Sequence, residues 1–186
     1  MSRNENNKEG VPSPERVLER LGEQQVETSI HPVQIRDVFF FAYDIMLDHT
    51  VVSRYTKGLV PFKVARLANH RLCWPWYYPP KSTALPSVLR TNEPGDEVWG
   101  LLYNANGVSF TLFERFIRVP NRNYRKNISV EDQGGRGYHA FTYAMTARSE
   151  EDLKPSREYL DHLVEAARER GLPEGWIGRL ETLATE

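Results

Sequence analysis

Residues 154–180, KPSREYLDHLVEAARERGLPEGWIGRL, read as a helix, a break and the start of a second helix. Pro155 or Ser156 opens the first helix and Gly171 closes it. Just before this pair, NYRKNISVE (123–131) and GYHAFTYAM (137–145) read as strands, joined through glycines that suit a hairpin turn. Further back, EVWGLLYNA (97–105) reads as a strand, while SFTLFERFIRV (109–119) places apolar residues at 110, 112, 113, 116 and 117, the spacing of a short helix. FFFAYDIML (39–47) ends a strand over Asp37–Tyr43, because an aspartate is poorly suited to a strand interior.

Between these elements, residues 47–59 read as a helix closed by Gly58, with Val51, Val52 and Tyr55 on its inner face. Lys63–Leu67 and His70–Trp74 alternate as half-buried strands do. Residues 75–96 hold five prolines, and they read as a long loop carrying Trp76, Tyr77 and Tyr78. Such a loop is either a functional lid or an aromatic cluster folded over the core edge. Residues 1–12 read as a disordered tail, residues 13–36 as a short helix and linker, and residues 37–186 as the main domain. Strands and helices mixed in this order give an α+β class on a small, strongly curved sheet or barrel.

Composition narrows the partners. The chain of 186 residues has 24 Lys and Arg against 25 Asp and Glu, a net charge of −1 that favours neither nucleic acid nor an anionic membrane. A small-molecule substrate is the expected partner; no oligomeric state follows from the sequence. Cys73, the single cysteine, excludes an internal disulfide and reads as a buried, inert thiol. His49, His70 and His162 lack the spacing of a metal site, so neither metal nor cofactor is expected. With no apolar leader and no apolar run long enough to span a bilayer, the expected location is the cytoplasm.

The combination of Pro155, Ser156, Tyr159, Ala166, Ala167, Gly171, Leu172 and Pro173 resembles the end of the γ-glutamylcyclotransferase (AIG2-like) family. Val98, Trp99 and Gly100, followed by Tyr124 and Arg125, resemble that family in the same order. Its members share a small mixed-sheet barrel with flanking helices, and they cyclise a γ-glutamyl group to 5-oxoproline. The resemblance implies a Tyr-Gly-Ser-Asn substrate loop after the first strand and a catalytic glutamate in a Leu-Asp-x-x-Glu-Gly segment. Here the tyrosine is Tyr43, but Asp44, Ile45 and Met46 replace the loop's remaining residues. Ungapped counts forward from Tyr103 and backward from Tyr124 both put the glutamate at Ile117 and the following glycine at Arg118. Glu114 takes the place of the family's preceding aspartate, one helical turn away.

Three candidates for proton transfer follow. Asp44 either caps the next helix or, partly desolvated, titrates near neutrality. Glu114 could approach the same cavity. His139 shares a strand face with Phe141 and Tyr143, and is either an acid–base group or a packed histidine. Tyr43, Tyr124, Tyr143 and Tyr159 could line the cavity as hydroxyl donors or stand as core aromatics, with Ile45, Met46, Ile117 and Arg118 completing a substrate surface. The basic run Arg115, Arg118, Arg122, Arg125 and Lys126 reads as a solvated face. Loss of the glutamate beside a retained family plan implies a divergent enzyme, performing cofactor-independent ring closure, isomerisation or elimination on a small hydrophobic molecule of specialised metabolism. The alternatives are a noncatalytic binding or scaffold protein of the same fold, and a surviving cyclotransferase.

Overall fold

Four consecutive buried residues, Phe39–Ala42, form β1. A fully buried strand needs hydrogen-bonding partners for its backbone along both edges. It has them in β5 (Glu97–Asn104), which runs antiparallel, and β7 (Gly137–Met145), which runs parallel. With β2 (Val60–Ala68) and β6 (Asn123–Asp132) these strands close into a barrel of order β1-β5-β2-β6-β7. The single parallel contact makes the sheet mixed, and the expected α+β barrel with flanking helices is the fold observed. This computed structural model describes residues 37–91, 93–146, 149, 151–183 and 185. The expected tail (1–12) and helix with linker (13–36) lie outside the described residues.

Gly100 lets β1 and β5 close together. A Cβ at this position would lie 2.2 Å from the Ala42 carbonyl oxygen and 2.7 Å from the Phe41 ring. On the opposite face of β1, Phe40 meets Phe110, Phe141 and Tyr143 with ring centroids 5.5–6.0 Å apart. This aromatic layer lies beneath α2 (Thr111–Ile117), whose Phe113 ring stands edge-on to Tyr143 at 5.3 Å.

Two expectations are corrected. The helix expected over 47–59 contracts to a 3-10 turn (Ile45–Leu47) and a single turn of α1 (His49–Val52). Asp48 restarts the chain by accepting the Thr50 N–H at 2.8 Å, and Thr56 Oγ1 donates to the Val52 carbonyl where the coil ends. Polar side chains here divert backbone bonding from a longer helix. The expected loop over 75–96 is instead largely a hairpin of β3 (His70–Tyr78) and β4 (Thr83–Arg90), joined by a 3-10 turn at Pro79–Lys81. Its prolines are accommodated because this sheet has only two strands, each an edge, and because Pro75 and Pro86 sit where the register shifts between the Cys73–Ser87 and Trp76–Leu85 pairs.

The C-terminal pair, α3 (Arg157–Glu169) and α4 (Glu174–Glu181), forms as expected. Ser156 Oγ accepts the Tyr159 N–H at 3.3 Å, and Gly171 breaks the chain at φ +67°. Leu160, Leu163, Val164, Ala166 and Ala167 are buried, while Arg170 Nε donates to the Leu47 carbonyl at 2.8 Å, fixing α3 against the turn after β1. No helix among the described residues is long and apolar enough to cross a membrane.

Asp132 holds the opposite end of the barrel. Its carboxylate accepts from Lys63 Nζ at 2.9 Å, from the Gly134 and Arg136 N–H groups, and from the Tyr138 hydroxyl. The Lys63 hydrogen bond, with those backbone donors, lowers its pKa to about 2. A lowered pKa contributes stability above the unfolded carboxylate value that is lost as pH falls toward 2. Asp132→Asn is therefore expected to lower the melting temperature at pH 7, with the deficit shrinking below pH 4; an unchanged deficit at pH 2.5 would contradict this origin.

Candidate functional site

The end of β1 delivers Tyr43 and Asp44 to a turn packed against α3. Asp44 has extended backbone dihedrals, and its Oδ1 accepts the Met46 N–H at 2.9 Å while its carbonyl accepts the Leu47 N–H at 2.9 Å. The capping role expected for it is thus present. Its carboxyl is also partly buried, and loss of water raises its pKa to about 6 against the pull of the Met46 N–H. The cap and the raised pKa coexist in one geometry. Tyr43 is buried and its hydroxyl donates to the Tyr143 carbonyl at 2.7 Å. Tyr159, from α3, is hydrogen-bonded to the backbone of Ile45 and meets Trp74 edge-on at 6.0 Å. Burial pushes the pKa values of both tyrosines far up, with the nearby Asp44 charge adding to it, so both stay protonated donors. Met46 is buried and Ile45 half-buried.

A second carboxyl group sits on α2. Tyr143 Oη donates to Glu114 Oε1 at 2.7 Å, and burial followed by this carboxylate raises the Tyr143 pKa. Through residue 143, whose carbonyl binds Tyr43 and whose hydroxyl binds Glu114, the two groups are mechanically tied. Ile117 ends α2 half-buried against the core, and its carbonyl accepts from Asn123 Nδ2. Arg118 then adopts φ +60°, ψ +55°. This left-handed conformation favours glycine, which is what the resemblance implied at position 118.

Two sequence candidates are exposed. His139 does share a face with Phe141 and Tyr143, but Phe110 packs on Phe141 and Phe113 on Tyr143, while His139 is exposed, with Nδ1 3.3 Å from Ser129 Oγ. Tyr124 is 42% exposed, so it is a surface tyrosine and not part of a buried lining. Conversely, Arg122, expected in a solvated run, is only 9% exposed. It belongs to a cleft of about 610 Å3 bounded by Trp76, Tyr78, Pro79, Pro80 and Arg118. Trp76 and Tyr78 are two residues apart, which places them on one strand face, a signal hidden while the segment reads as a loop.

Among the described residues no group of His, Cys, Asp and Glu could hold a metal ion. The local chemistry is that of carboxyls and phenols. The profile of the AIG2-like family matches residues 97–180. A γ-glutamylcyclotransferase from Bos taurus is 26% identical over 147 residues, covering 77% of each chain. A solved γ-glutamyl cyclotransferase superposes with a TM-score of 0.71 at 22% identity, over 80% of this chain and 88% of the other. An uncharacterised human protein superposes with a TM-score of 0.70, also at 22% identity and with the same coverage. The chain therefore has the γ-glutamylcyclotransferase fold. The profile match includes Glu114, Ile117, Tyr143 and Tyr159 and begins after Asp44 in the sequence.

Proposed function

We propose that this AIG2-like chain is an enzyme that performs cofactor-independent acid–base chemistry on a small, largely apolar molecule, with ring closure, isomerisation or elimination as the reaction classes. The observation that carries this reading is the Asp44 carboxyl, partly buried and raised to about 6 beside the protonated phenols of Tyr43 and Tyr159. A base of this pKa is mostly ionised at neutral pH, yet keeps enough proton affinity to take a proton from substrate and return it elsewhere. Glu114, held by the Tyr143 hydroxyl, is the second candidate. In this proposal exposed His139 takes no part in the reaction.

Residues at both family devices support a changed substrate. Ile117 cannot move a proton, and Asp44, where the family plan has glycine, would repel the carboxylate of a γ-glutamyl group. Half-buried Ile45 makes the adjoining surface apolar, with Met46 packed into the core behind it. In specialised metabolism such a fold would hold a flexible precursor in a reactive conformation.

A noncatalytic binding protein is the second reading. It is favoured by the internal satisfaction of the polar groups: Asp44 caps Met46, Tyr43 binds the Tyr143 carbonyl, and Tyr143 binds Glu114. A third reading, cyclotransferase activity, rests on the bovine relative. Incubation of the protein with glutathione and with γ-glutamyl dipeptides separates it: no 5-oxoproline above the uncatalysed background is expected. Release at ordinary enzymatic rates would overturn the proposal.

A further inference from the structure

The cleft beside the β3–β4 hairpin is built from two unlike components. Trp76, Tyr78, Pro79 and Pro80 give it flat apolar walls, and Arg118 and Arg122 give it two cations. The Arg122 guanidinium lies 6.0 Å from the Trp76 ring centroid and 5.8 Å from that of Tyr78. It is more than nine-tenths buried, and its Nε has no hydrogen-bond partner among the described residues. Neither arginine forms an ion pair with a carboxylate among those residues. A buried guanidinium N–H left without an acceptor is costly, and a second cation nearby increases that cost. Burial, and then the charge of Arg118, lower the Arg122 pKa.

We infer that this cleft is a binding site for a small anion carried on a flat, apolar body. The anionic head would accept from Arg122 Nε and neutralise the repulsion between the two arginines, while the body stacks along Trp76 and Tyr78. Arg118 reaches the cleft from a backbone turn at φ +60°, so its place at the cleft is set by the end of α2. The inference stands independently of the acid–base role of Asp44: a ligand could occupy this cleft as substrate or as effector.

Calorimetric titration of the full chain with 1-naphthoate, 1-naphthyl phosphate and the neutral 1-naphthamide tests it. At least one anion is expected to bind, and the amide at least about tenfold more weakly, the usual scale of one charge-assisted hydrogen bond. A preference for naphthoate assigns a carboxylate head, and a preference for naphthyl phosphate assigns a phosphate head. Arg122→Gln and Arg118→Gly are each expected to weaken the anion by about tenfold or more. Arg118→Gly also removes a left-handed strain, so it keeps the fold and decides the matter should Arg122→Gln fail to fold. Binding by neither anion, equal binding of the amide, or unchanged affinity in folded Arg118→Gly would overturn the inference.

Discussion

An Asp44→Asn variant melts at a higher temperature than the parent protein at pH 7.5, and the two coincide at pH 4. The direction follows from the raised carboxyl pKa of about 6 against an ordinary value of 3.8. The folded state then keeps a proton that the unfolded chain has already released, so the stability contribution is full below pH 4 and declines as pH rises through 6. A carboxyl raised this far costs the folded state roughly 2–3 kcal/mol by pH 7.5. Asparagine carries no charge and still offers an oxygen to the Met46 N–H, so it removes the penalty and keeps the cap. Thermal melts of both proteins between pH 4 and 8 read the result directly. Parallel curves over that range would show that the carboxyl is not desolvated. The same substitution is expected to abolish turnover, giving a stability gain with an activity loss, the trade-off expected where a group is held at a cost for chemistry.

Gly100→Ala is the substitution with the largest expected damage to the fold. The added Cβ would stand 2.2 Å from a backbone oxygen of β1 and under 3 Å from two Phe41 ring carbons. Backbone cannot turn aside as a flexible side chain does, and Phe41 is fully buried. The β1–β5 ladder would have to separate, at a cost of about 3 kcal/mol or more, the upper range for overpacking in a tight core. Chemical denaturation of the variant, read by circular dichroism, would show a lowered midpoint or loss of cooperative unfolding. A midpoint within error of the parent would mean that β1 and β5 do not approach this closely.

The barrel strands are legible because alternation and apolar runs report directly on which faces are buried. β5 and β7 are placed by their residues alone, and the family resemblance supplies closure, which no local pattern encodes. The β3–β4 hairpin is not legible because its prolines are strand breakers in a central strand and tolerable in an isolated pair of edges. That distinction depends on sheet size, which the local sequence does not state. Apolar spacing overstates the helix after β1 because it takes no account of the capping capacity of Asp48.

The site divides in the same way. Alternation puts His139 on the correct face, but only the packing of Phe110 and Phe113 determines that Phe141 and Tyr143 are covered there and His139 is not. Asp44 reads from the sequence both as a cap and as a perturbed acid, and the two prove compatible because one oxygen binds an N–H while the group as a whole loses solvent. Arg122 is hidden in a run of charges. Its burial comes from the hairpin that packs over it, so it can be found only after β3 is recognised as a strand.

Acid–base chemistry centred on Asp44 is tested most directly by mass spectrometry of a small-molecule extract from the source cells, incubated with the purified parent protein or with Asp44→Asn. The account predicts a substrate–product pair in the parent sample, the product equal in mass to its substrate or lighter by one water, with no such pair in the Asp44→Asn sample. The same pair appearing at the same rate with folded Asp44→Asn would contradict it.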